Sequence, residues 1–587
     1  MRPLDDALVS RLARELHLLP TTARCLVGRG IGELEAARAF LAPRLGGLRR
    51  PEGVAGLAGF GAAADRVTRA VLRGERIAVF GDYDVDGVTT CALLTSFLRG
   101  CGAAVTPRVA RRDEGYGFCA EAAADVMVVK PGLVITGDCG TSDAAVIASV
   151  RAQGVDVIVV DHHTVPAAGE VHPALALVNP FRTDSAFPFR GMASVGISFY
   201  LAAAVRTRLK EQGWFDGRPE VDPRDLLDLV ALGTIADLVP LSGENRILTA
   251  AGLKLVVERK RPGLAALLAV SGMDVGGDRP IDEKTVSWKL APRLNAPGRL
   301  GDAAPALELL LASADEAGAR AQALEGANQR RRELQDQMVE EAFALAEVSA
   351  GGSEPGPAIV VASERFAPGV VGIVAAKLVD RYQRPAFVIA VDAATGIARG
   401  SARSAGGVDL YRALGQCAPM LERWGGHAAA AGLTMRAADA GAMTSAVGRL
   451  REALGAAVLA EGSGKVHGLG AEADDTIELG LVDDRLADEL GALAPFGQDN
   501  PAPLLVARGL QVRASKKVGD GSHLKLELAC PRTRITRGAI AFGQGAQDPG
   551  PGTTVDVAFT PARSTWMGKS RVELEVKRIV APADQTR

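Results

Sequence analysis

The segment Gly81-Asp82-Tyr83-Asp84-Val85-Asp86-Gly87 places three carboxylates directly after the apolar run Ile77 to Phe80. Two further apolar runs end in the same way, Leu133 to Ile135 before Thr136-Gly137-Asp138-Cys139-Gly140, and Val157 to Val160 before Asp161-His162-His163. Short runs rich in Val and Ile are typical of buried parallel strands. Because ligands collect at the carboxyl ends of such strands, we expect the three polar segments to converge in space.

Convergent Asp and His side chains without thiolates are the ligands of a divalent ion such as Mn²⁺ or Mg²⁺. Two such ions about 3.5 to 4 Å apart would activate water and neutralise charge on a transferring phosphoryl group. His162 offers a ring nitrogen to the metal, and we expect Asp161 to hold the other ring N–H. Asp237, near the end of the apolar run Leu226 to Leu238, would add a carboxylate from a fourth element.

Length, net charge and cysteine usage limit the class of protein to which this chain can belong. A chain of 587 residues predicts three or four domains of about 100 to 200 residues each. The formal net charge of −2 gives no global basic signal, so a nucleic-acid partner would need a local basic patch. The seven cysteines stand singly, which favours a reducing compartment. We find no apolar run of about 18 residues, so we expect a cytoplasmic protein with no membrane contact.

The pattern along the chain predicts five regions. Strand-like runs alternate with helical stretches, as in a doubly wound α/β domain, first after the N-terminal region and again after a Gly/Pro-rich break at 351–357. Short alternating segments near the C-terminus favour a small barrel of oligonucleotide-binding (OB) type. The predicted regions are a helical N-terminal region at 1–70, a catalytic α/β domain at 71–300, a long connecting helix at 301–350, a second α/β domain at 351–460 and the barrel at 461–587.

The motifs together resemble the bacterial RecJ family of the DHH phosphoesterase superfamily. The Asp161-His162-His163 triplet, the first acidic segment and the glycine-rich stretch 425–432 carry the superfamily resemblance. Five further segments carry the family resemblance: Glu114-Gly115-Tyr116-Gly117, the stretch 292–300, the stretch 368–375, Gly400-Ser401-Ala402-Arg403-Ser404 and the stretch 495–501. The resemblance implies a two-lobed DHH core, with a parallel-sheet α/β domain and a smaller DHH-associated α/β domain joined by a long helix, followed by the OB-type barrel.

The resemblance also implies roles for the polar residues near the strand ends. One ion would be bound by the positions that correspond to Asp86, Asp138, His162 and Asp237. The second ion would take Asp84 and share Asp138, with Asp82 assisting. His163 would lie near the scissile phosphate and stabilise charge there. We therefore assign His163, Asp82 and Asp161 to catalysis.

Other matched positions imply contacts with a nucleic acid. Arg111, Ser401 and Arg403 match family positions that hold a 5′-terminal phosphate, and Arg suits bidentate contacts with phosphate.

Four further residues complete the expected DNA contacts. Tyr116 would stack a base, although a tyrosine here could also belong to the core. His427 would grip a neighbouring phosphate, and Gly426 beside it would allow close backbone approach. Arg299 is a further candidate, although its segment could brace the cleft without touching DNA.

The resemblance implies a 5′→3′ exonuclease that hydrolyses single-stranded DNA to 5′-mononucleotides with two Mn²⁺ or Mg²⁺ ions, in recombination and repair. Implied partners are a single strand with a 5′ end, a single-strand-binding protein and a helicase, and the implied state is a monomer. One departure is Ala367, which stands before Pro368 where the family usually carries His.

Two alternative functions stay open at this point. A DHH phosphodiesterase acting on short RNA or cyclic dinucleotides would share the metal ligands but lack the C-terminal barrel. A catalytically silent DHH scaffold for a helicase would have lost several ligands, whereas this chain keeps them all.

Overall fold

The computed structural model describes residues 4–53, 55–115, 117–166, 171–273, 280–350, 356–461, 473–566 and 569–580. These residues form three β-sheets with helices packed around them. The chain opens with four helices, α1 (Asp6–Leu16), α2 (Pro20–Gly28), α3 (Leu34–Leu41) and α4 (Phe60–Leu72). In the described part of the chain, no helix combines the length and the apolar character that spanning a bilayer requires.

The first sheet is parallel throughout, with the strand order β2-β1-β3-β4-β5. Its strands are β1 (Arg76–Gly81), β2 (Ala104–Val109), β3 (Leu133–Gly137), β4 (Asp156–Val160) and β5 (Ala176–Val178). The order reverses between β1 and β3, which makes their carboxyl ends the expected ligand site of a doubly wound sheet. The acidic segments that follow β1 and β3 are thus placed at the same point of the sheet.

Helices cover both faces of this sheet because successive strand residues point to opposite sides. Ile77 and Val79 enter one core, and Ala78 and Phe80 enter another. The first core includes residues of α4, α5 (Val85–Gly100) and α8 (Ser194–Glu211), and the second includes residues of α6 (Ala120–Met127) and α7 (Ala144–Ala152). Two buried faces account for the nearly continuous apolar runs in the sequence.

A helical segment joins the first sheet to the second. Its helices are α9 (Leu227–Ala236), α10 (Gly243–Glu258), α11 (Pro262–Val270), α12 (Glu283–Thr285), α13 (Ala291–Leu300), α14 (Ala304–Leu310) and α15 (Ala314–Ala350). A π turn, Val286–Leu290, connects α12 and α13 without a break. The predicted long connecting helix is confirmed as α15, which is 37 residues long.

The second sheet is mixed, with the order β6-β7-β8-β10-β9. Its strands are β6 (Ile359–Ser363), β7 (Ala386–Asp392), β8 (Ile397–Arg403), β9 (Arg423–Gly426) and β10 (Ala430–Arg436). Its helices are α16 (Val371–Tyr382), α17 (Leu410–Gln416) and α18 (Ala440–Glu461). The predicted two-lobed architecture, with a second and smaller α/β lobe, is confirmed.

The C-terminal strands close into a barrel, as the alternating pattern predicted. Strand β12 pairs with both β13 and β15, which closes the circuit β12-β13-β14-β16-β15. The elements are β11 (Asp475–Thr476), α19 (Asp484–Gly491), β12 (Leu505–Val518), β13 (His523–Ala529), β14 (Thr536–Ala541), β15 (Thr554–Trp566) and β16 (Lys569–Val580). The exact domain boundaries proposed from the sequence stay a prediction.

The N-terminal helices pack on the barrel rather than standing apart from it. Leu12 and Leu26 share one apolar core with Leu490 and Leu505. The Glu489 carboxylate accepts hydrogen bonds from the Leu19 N–H at 2.7 Å and the Thr22 hydroxyl at 2.8 Å. The two ends of the described chain therefore form one structural unit.

Arg246 joins that unit to the first lobe. Its guanidinium is 2% exposed and donates to the carbonyls of Phe40, Ala492 and Leu493 at 2.8 to 3.3 Å. It also stacks on the Phe40 ring, with Cζ 3.7 Å from the centroid. One side chain thus satisfies buried acceptors from the N-terminal helices and from the loop that precedes the barrel.

We expect Arg246→Ala to lower the stability of the protein, because each buried carbonyl left without a donor costs about 1–3 kcal/mol. Thermal unfolding by calorimetry measures the effect. Arg224→Ala is the matched control, since that guanidinium is 67% exposed and pairs with a neighbour in sequence. Equal melting temperatures for the two variants would contradict the role given to Arg246.

Candidate metal centre and phosphate pocket

The first acidic segment is a tight turn between β1 and α5. Asp84 caps α5 by accepting a hydrogen bond from the Gly87 N–H at 3.1 Å. A Cβ atom on Gly87 would lie 2.4 Å from the backbone nitrogen of Asp82, so this close approach of helix and strand requires glycine. Asp82 and Asp86 are buried by the turn, at 2% and 1% exposure.

The N-terminus of α8 holds two of the carboxylates. Asp86 accepts hydrogen bonds from the N–H groups of Ser194 at 2.7 Å and Val195 at 3.0 Å. The Ser194 hydroxyl donates to Asp138 Oδ1 at 3.2 Å. Such donors and the positive end of the helix dipole stabilise anions. Sequence reasoning missed Ser194, which is the first residue of α8 and not its cap.

Carboxylates from three different elements surround the ring nitrogen Nε2 of His162. Its Nε2 lies 3.2 Å from Asp138 Oδ1, 3.4 Å from Asp237 Oδ2 and 3.9 Å from Asp86 Oδ2. Asp237 stands at the C-terminal end of α9. The buried His162 Nε2 and Asp237 Oδ2 have no hydrogen-bond partner among the described residues. These four predicted metal-site residues are therefore close together, and two of them, His162 and Asp237, carry a buried polar atom that is unpaired.

Three overlapping groups of ligand atoms could each hold a cation. The groups are Asp86 with His162 and Asp237, Asp82 with Asp84 and Asp138, and Asp138 with His162 and His163. In each group the ligand atoms lie within 4.8 Å of one another. Asp138 belongs to the Asp82 group and also lies 3.2 Å from His162 Nε2, so its carboxylate would be available to an ion on either side.

The carboxylates destabilise one another in the absence of a cation. Burial, together with the charge of Asp84, raises the pKa of Asp82 to about 8 and that of Asp86 to about 7. The same two causes raise the pKa of Asp138 well above its usual value, and burial with the charge of Asp86 does so for Asp237. Burial of like charges penalises ionisation, so a positively charged ligand would stabilise this site.

His162 and His163 differ in charge. Burial, with the charges of His163 and His427, lowers the pKa of His162 to about 4, so His162 is neutral and able to bind a metal. Burial also opposes protonation of His163, but its hydrogen bond and charge contact with Asp161 raise the pKa to about 9. His163 is therefore a cation at neutral pH, which suits contact with a phosphate better than with a metal.

Asp161 has a different partner from the one that we expected. Its carboxylate pairs with His163 Nδ1 at 2.8 Å rather than with the ring of His162. It also accepts from the N–H groups of Thr141, His162 and His163. Because the chain turns back immediately after β4, the third residue of the triplet, and not the second, folds over the Asp161 carboxylate.

The donor set fits hard or borderline divalent cations. Carboxylate oxygens with a neutral imidazole suit Mg²⁺ and Mn²⁺, and the orphaned atoms Asp82 Oδ1, His162 Nε2 and Asp237 Oδ2 are those that such ions would satisfy. Asp86, Asp138, His162 and Asp237 would hold one ion, and Asp82, Asp84 and Asp138 would hold the other.

A basic pocket lies beside this centre, between the two lobes. Arg403 donates to Ser401 Oγ at 3.1 Å. A Cβ atom on Gly372, in the first turn of α16, would lie 3.0 Å from Ser401 Oγ and 3.1 Å from an Arg403 nitrogen. Burial and the charges of Arg112, Arg331 and Arg403 lower the pKa of Arg299 to about 10. Converging guanidiniums beside a helix N-terminus form an anion-binding pocket.

Arg111 and its neighbour Arg112 make different contacts, and the predicted phosphate contact of Arg111 stays a prediction. Arg111, predicted to hold the terminal phosphate, is half-exposed and lies 3.3 Å from Glu114. Its neighbour Arg112 stacks over the Tyr83 ring at 4.2 Å and donates to the Gly298 carbonyl at 2.9 Å. Arg112 therefore lies near the metal centre and Arg299. The sequence signal for Arg112 was its position next to Arg111.

The remaining predicted contacts lie on the second lobe or outside the described residues. His427 follows β9, is exposed, and acts electrostatically on His162, so it faces the metal centre across the cleft. Gly426 has a φ of 129°, and a Cβ atom there would lie 2.5 Å from the Ala430 carbonyl oxygen. Tyr116 lies outside the described residues.

We expect Mn²⁺ affinity to rise with pH between pH 6 and 8.5. Asp82 and Asp86 are largely protonated at pH 6, and the metal must displace those protons, which weakens binding about tenfold per pH unit for each proton. His162 is neutral throughout this range and contributes no proton.

Calorimetric titrations in buffers of different ionisation enthalpy measure both the dissociation constant and the protons released. Asp138→Ala is the control that should lose binding. A dissociation constant that stays the same from pH 6 to 8.5 would contradict the charge state given to these carboxylates.

Comparisons with known proteins agree with this architecture. Family models match at 76–234 (DHH family, N-terminal domain), 356–456 (DHHA1 domain) and 473–578 (RecJ OB domain). The single-stranded-DNA-specific exonuclease RecJ of Bacillus subtilis is 34% identical over 581 residues, covering 98% of this chain and 70% of that protein.

Solved structures of RecJ are similar to this chain over nearly its whole length. Thermus thermophilus RecJ in complex with Mn²⁺ superposes with a TM-score of 0.79 at 29% identity, covering 98% of this chain and 78% of the other. Its complex with Mg²⁺ gives a TM-score of 0.72 at 28% identity, with 98% and 77% covered. The expected two-lobed DHH core with an OB barrel is confirmed, and the chain belongs to the RecJ family of single-stranded-DNA-specific exonucleases.

Proposed function

We propose that this protein is a 5′→3′ exonuclease that hydrolyses single-stranded DNA to 5′-mononucleotides with two Mn²⁺ or Mg²⁺ ions. The observation that carries the proposal is the pairing of a buried carboxylate–histidine centre with a basic pocket in one cleft. A related RecJ is crystallised with each of these ions, and the curated relative acts on single-stranded DNA.

The residues of the first lobe would position the reacting phosphate. Bound divalent cations would supply activation of water and neutralisation of phosphoryl charge. Asp138 would hold both ions, and the α8 N–H groups would keep Asp86 in a fixed orientation for one of them. His163, protonated through its pair with Asp161, would stabilise negative charge that develops on the phosphate.

The basic pocket would determine which end of the strand is read. Arg111, Ser401 and Arg403 would bind the 5′-terminal phosphate, with Arg299 beside them and α16 directing N–H groups at it. Arg112 would add positive charge, and His427 would contact a neighbouring phosphate from the second lobe. A fixed site for the terminal phosphate beside the cleavage site would release one nucleotide at a time from the 5′ end.

The cellular setting follows from the same proposal. The enzyme would act in recombination and repair, as a monomer in the cytoplasm. The seven free cysteines support a reducing compartment. A single-strand-binding protein and a helicase would supply single strands from duplex DNA.

The alternative functions are less well supported. A silent scaffold would not need Asp84, Asp86, Asp138, His162 and Asp237 within one metal-binding cluster. A phosphodiesterase specific for dinucleotides would not need the closed barrel that packs with the N-terminal helices.

We expect the wild-type protein with Mn²⁺ to shorten a 3′-labelled single strand progressively from the 5′ end and to leave a matched duplex intact. Asp138→Ala should abolish this activity because it removes the carboxylate shared by the two ion sites. Gel analysis of the digestion products measures both effects. Binding of the strand without degradation would favour the scaffold function instead.

We expect Arg403→Ala to raise the KM for a 5′-phosphorylated strand about tenfold to a hundredfold, since a hydrogen bond to a charged group contributes about 1.5–3 kcal/mol. The preference for a 5′-phosphate over a 5′-hydroxyl should shrink correspondingly. Steady-state kinetics on both strands measure the change. Arg365→Ala, at a side chain 84% exposed in the same lobe, is the control, and an unchanged preference in Arg403→Ala would contradict the assignment.

A further inference from the structure

We propose that Trp288 is a stacking site for a base of the single strand that extends away from the metal centre, an inference that rests on the proposed function. Trp288 is 78% exposed, although tryptophan is usually mostly buried. It lies in the π turn between α12 and α13, and π turns occur frequently at functional sites.

Trp288 belongs to a stripe along the helical segment 283–300 that faces away from the core of the first lobe. The stripe consists of Lys284, Trp288, Pro292, Asn295 and Arg299, whose spacings of three or four residues place them on one helix face. All five are exposed or half-buried. We call these five residues the α12–α13 stripe.

Neighbouring positions of the same segment face inward. Leu290 and Leu294 are buried in the core of the first lobe. Arg293 pairs with Glu325 of α15, and Lys289 donates to the Ser271 carbonyl at 3.2 Å. The segment is therefore fixed in rotation, and Trp288 is held on its outer face.

One end of the stripe lies at the catalytic cleft. A Cβ atom on Gly298 would lie 2.6 Å from the Tyr83 carbonyl oxygen, so α13 ends directly against the first acidic segment. Arg299 belongs to the basic pocket, and the charge of Asp84 also acts on it. The π turn itself packs against α9, the helix that ends before Asp237.

The other end of the stripe lies at the barrel. Lys284 pairs with Glu575 of β16 at 2.7 Å, and the Glu283 carboxylate accepts a hydrogen bond from the Phe496 backbone N–H. Eleven residues separate Trp288 from Arg299, a distance of about 16 Å along a helix. A strand held by its 5′ phosphate at the pocket and directed toward the barrel would pass Trp288 several nucleotides downstream.

The chemistry of Trp288 suits single-stranded DNA. An indole face stacks on any base, so it supports binding without selecting a sequence. A duplex keeps its bases stacked on one another and offers none to the ring. Trp288 would therefore favour single strands long enough to reach it, and would not affect substrates confined to the metal centre.

The test compares Trp288→Ala with wild type on two 5′-phosphorylated substrates, a dinucleotide and a strand of about 16 nucleotides, the upper site size of one OB barrel. We expect the KM for the long strand to rise about tenfold, with kcat and the dinucleotide kinetics unchanged. Trp288→Phe should restore most of the affinity because phenylalanine also stacks. Val128→Ala, at a residue 76% exposed beside α6, should behave as wild type.

Binding measured by fluorescence anisotropy in the Asp138→Ala background separates affinity from turnover. Equal affinity with and without Trp288 for the long strand would overturn the inference while leaving the proposed function intact. An equal loss on the dinucleotide and the long strand would also overturn it, since that result indicates a change in the cleft. Failure of the wild-type protein to digest either substrate would instead contradict the proposed function.

Discussion

Buried carboxylates at the carboxyl end of the first sheet repel one another, and the groups around them are arranged to offset this repulsion. Asp82, Asp86 and Asp138 are almost fully buried, and Asp237 lies against the same His162 nitrogen. Backbone N–H groups at the start of α8 compensate part of the charge of Asp86. Protons or a bound cation must neutralise the remaining charge, so the fold and the chemistry of the site are coupled through the same four carboxylates.

Much of the site was predictable because parallel strands bring distant segments together by a simple rule. Each apolar run is followed within three residues by an Asp, and strand pairing aligns Gly81 with Gly137 and Gly137 with Val160. Side chains that follow these positions must meet at one edge. For the same reason, Asp86, Asp138 and His162 lie together, and the two-lobed architecture followed from the alternation of strands and helices.

Other features depend on contacts that no local pattern encodes. The pairing of Asp161 with His163 arises from the path of the chain after β4, which the residue types alone do not determine. The position of Arg112 near the metal centre depends on the Tyr83 ring and the Gly298 carbonyl. The packing of the N-terminal helices on the barrel joins residues separated by more than 400 positions. No sequence pattern around Arg246 indicates the three carbonyl groups to which it donates.

In the proposed site, Asp138 joins two ion sites at the carboxyl ends of β1 and β3. Anomalous scattering from a crystal of the Mn²⁺ complex locates the ions. We expect two peaks about 3.5 to 4 Å apart, one beside Asp86, His162 and Asp237 and the other beside Asp82 and Asp84, with the Asp138 carboxylate between them. A single peak, or peaks that Asp138 does not contact, would contradict it.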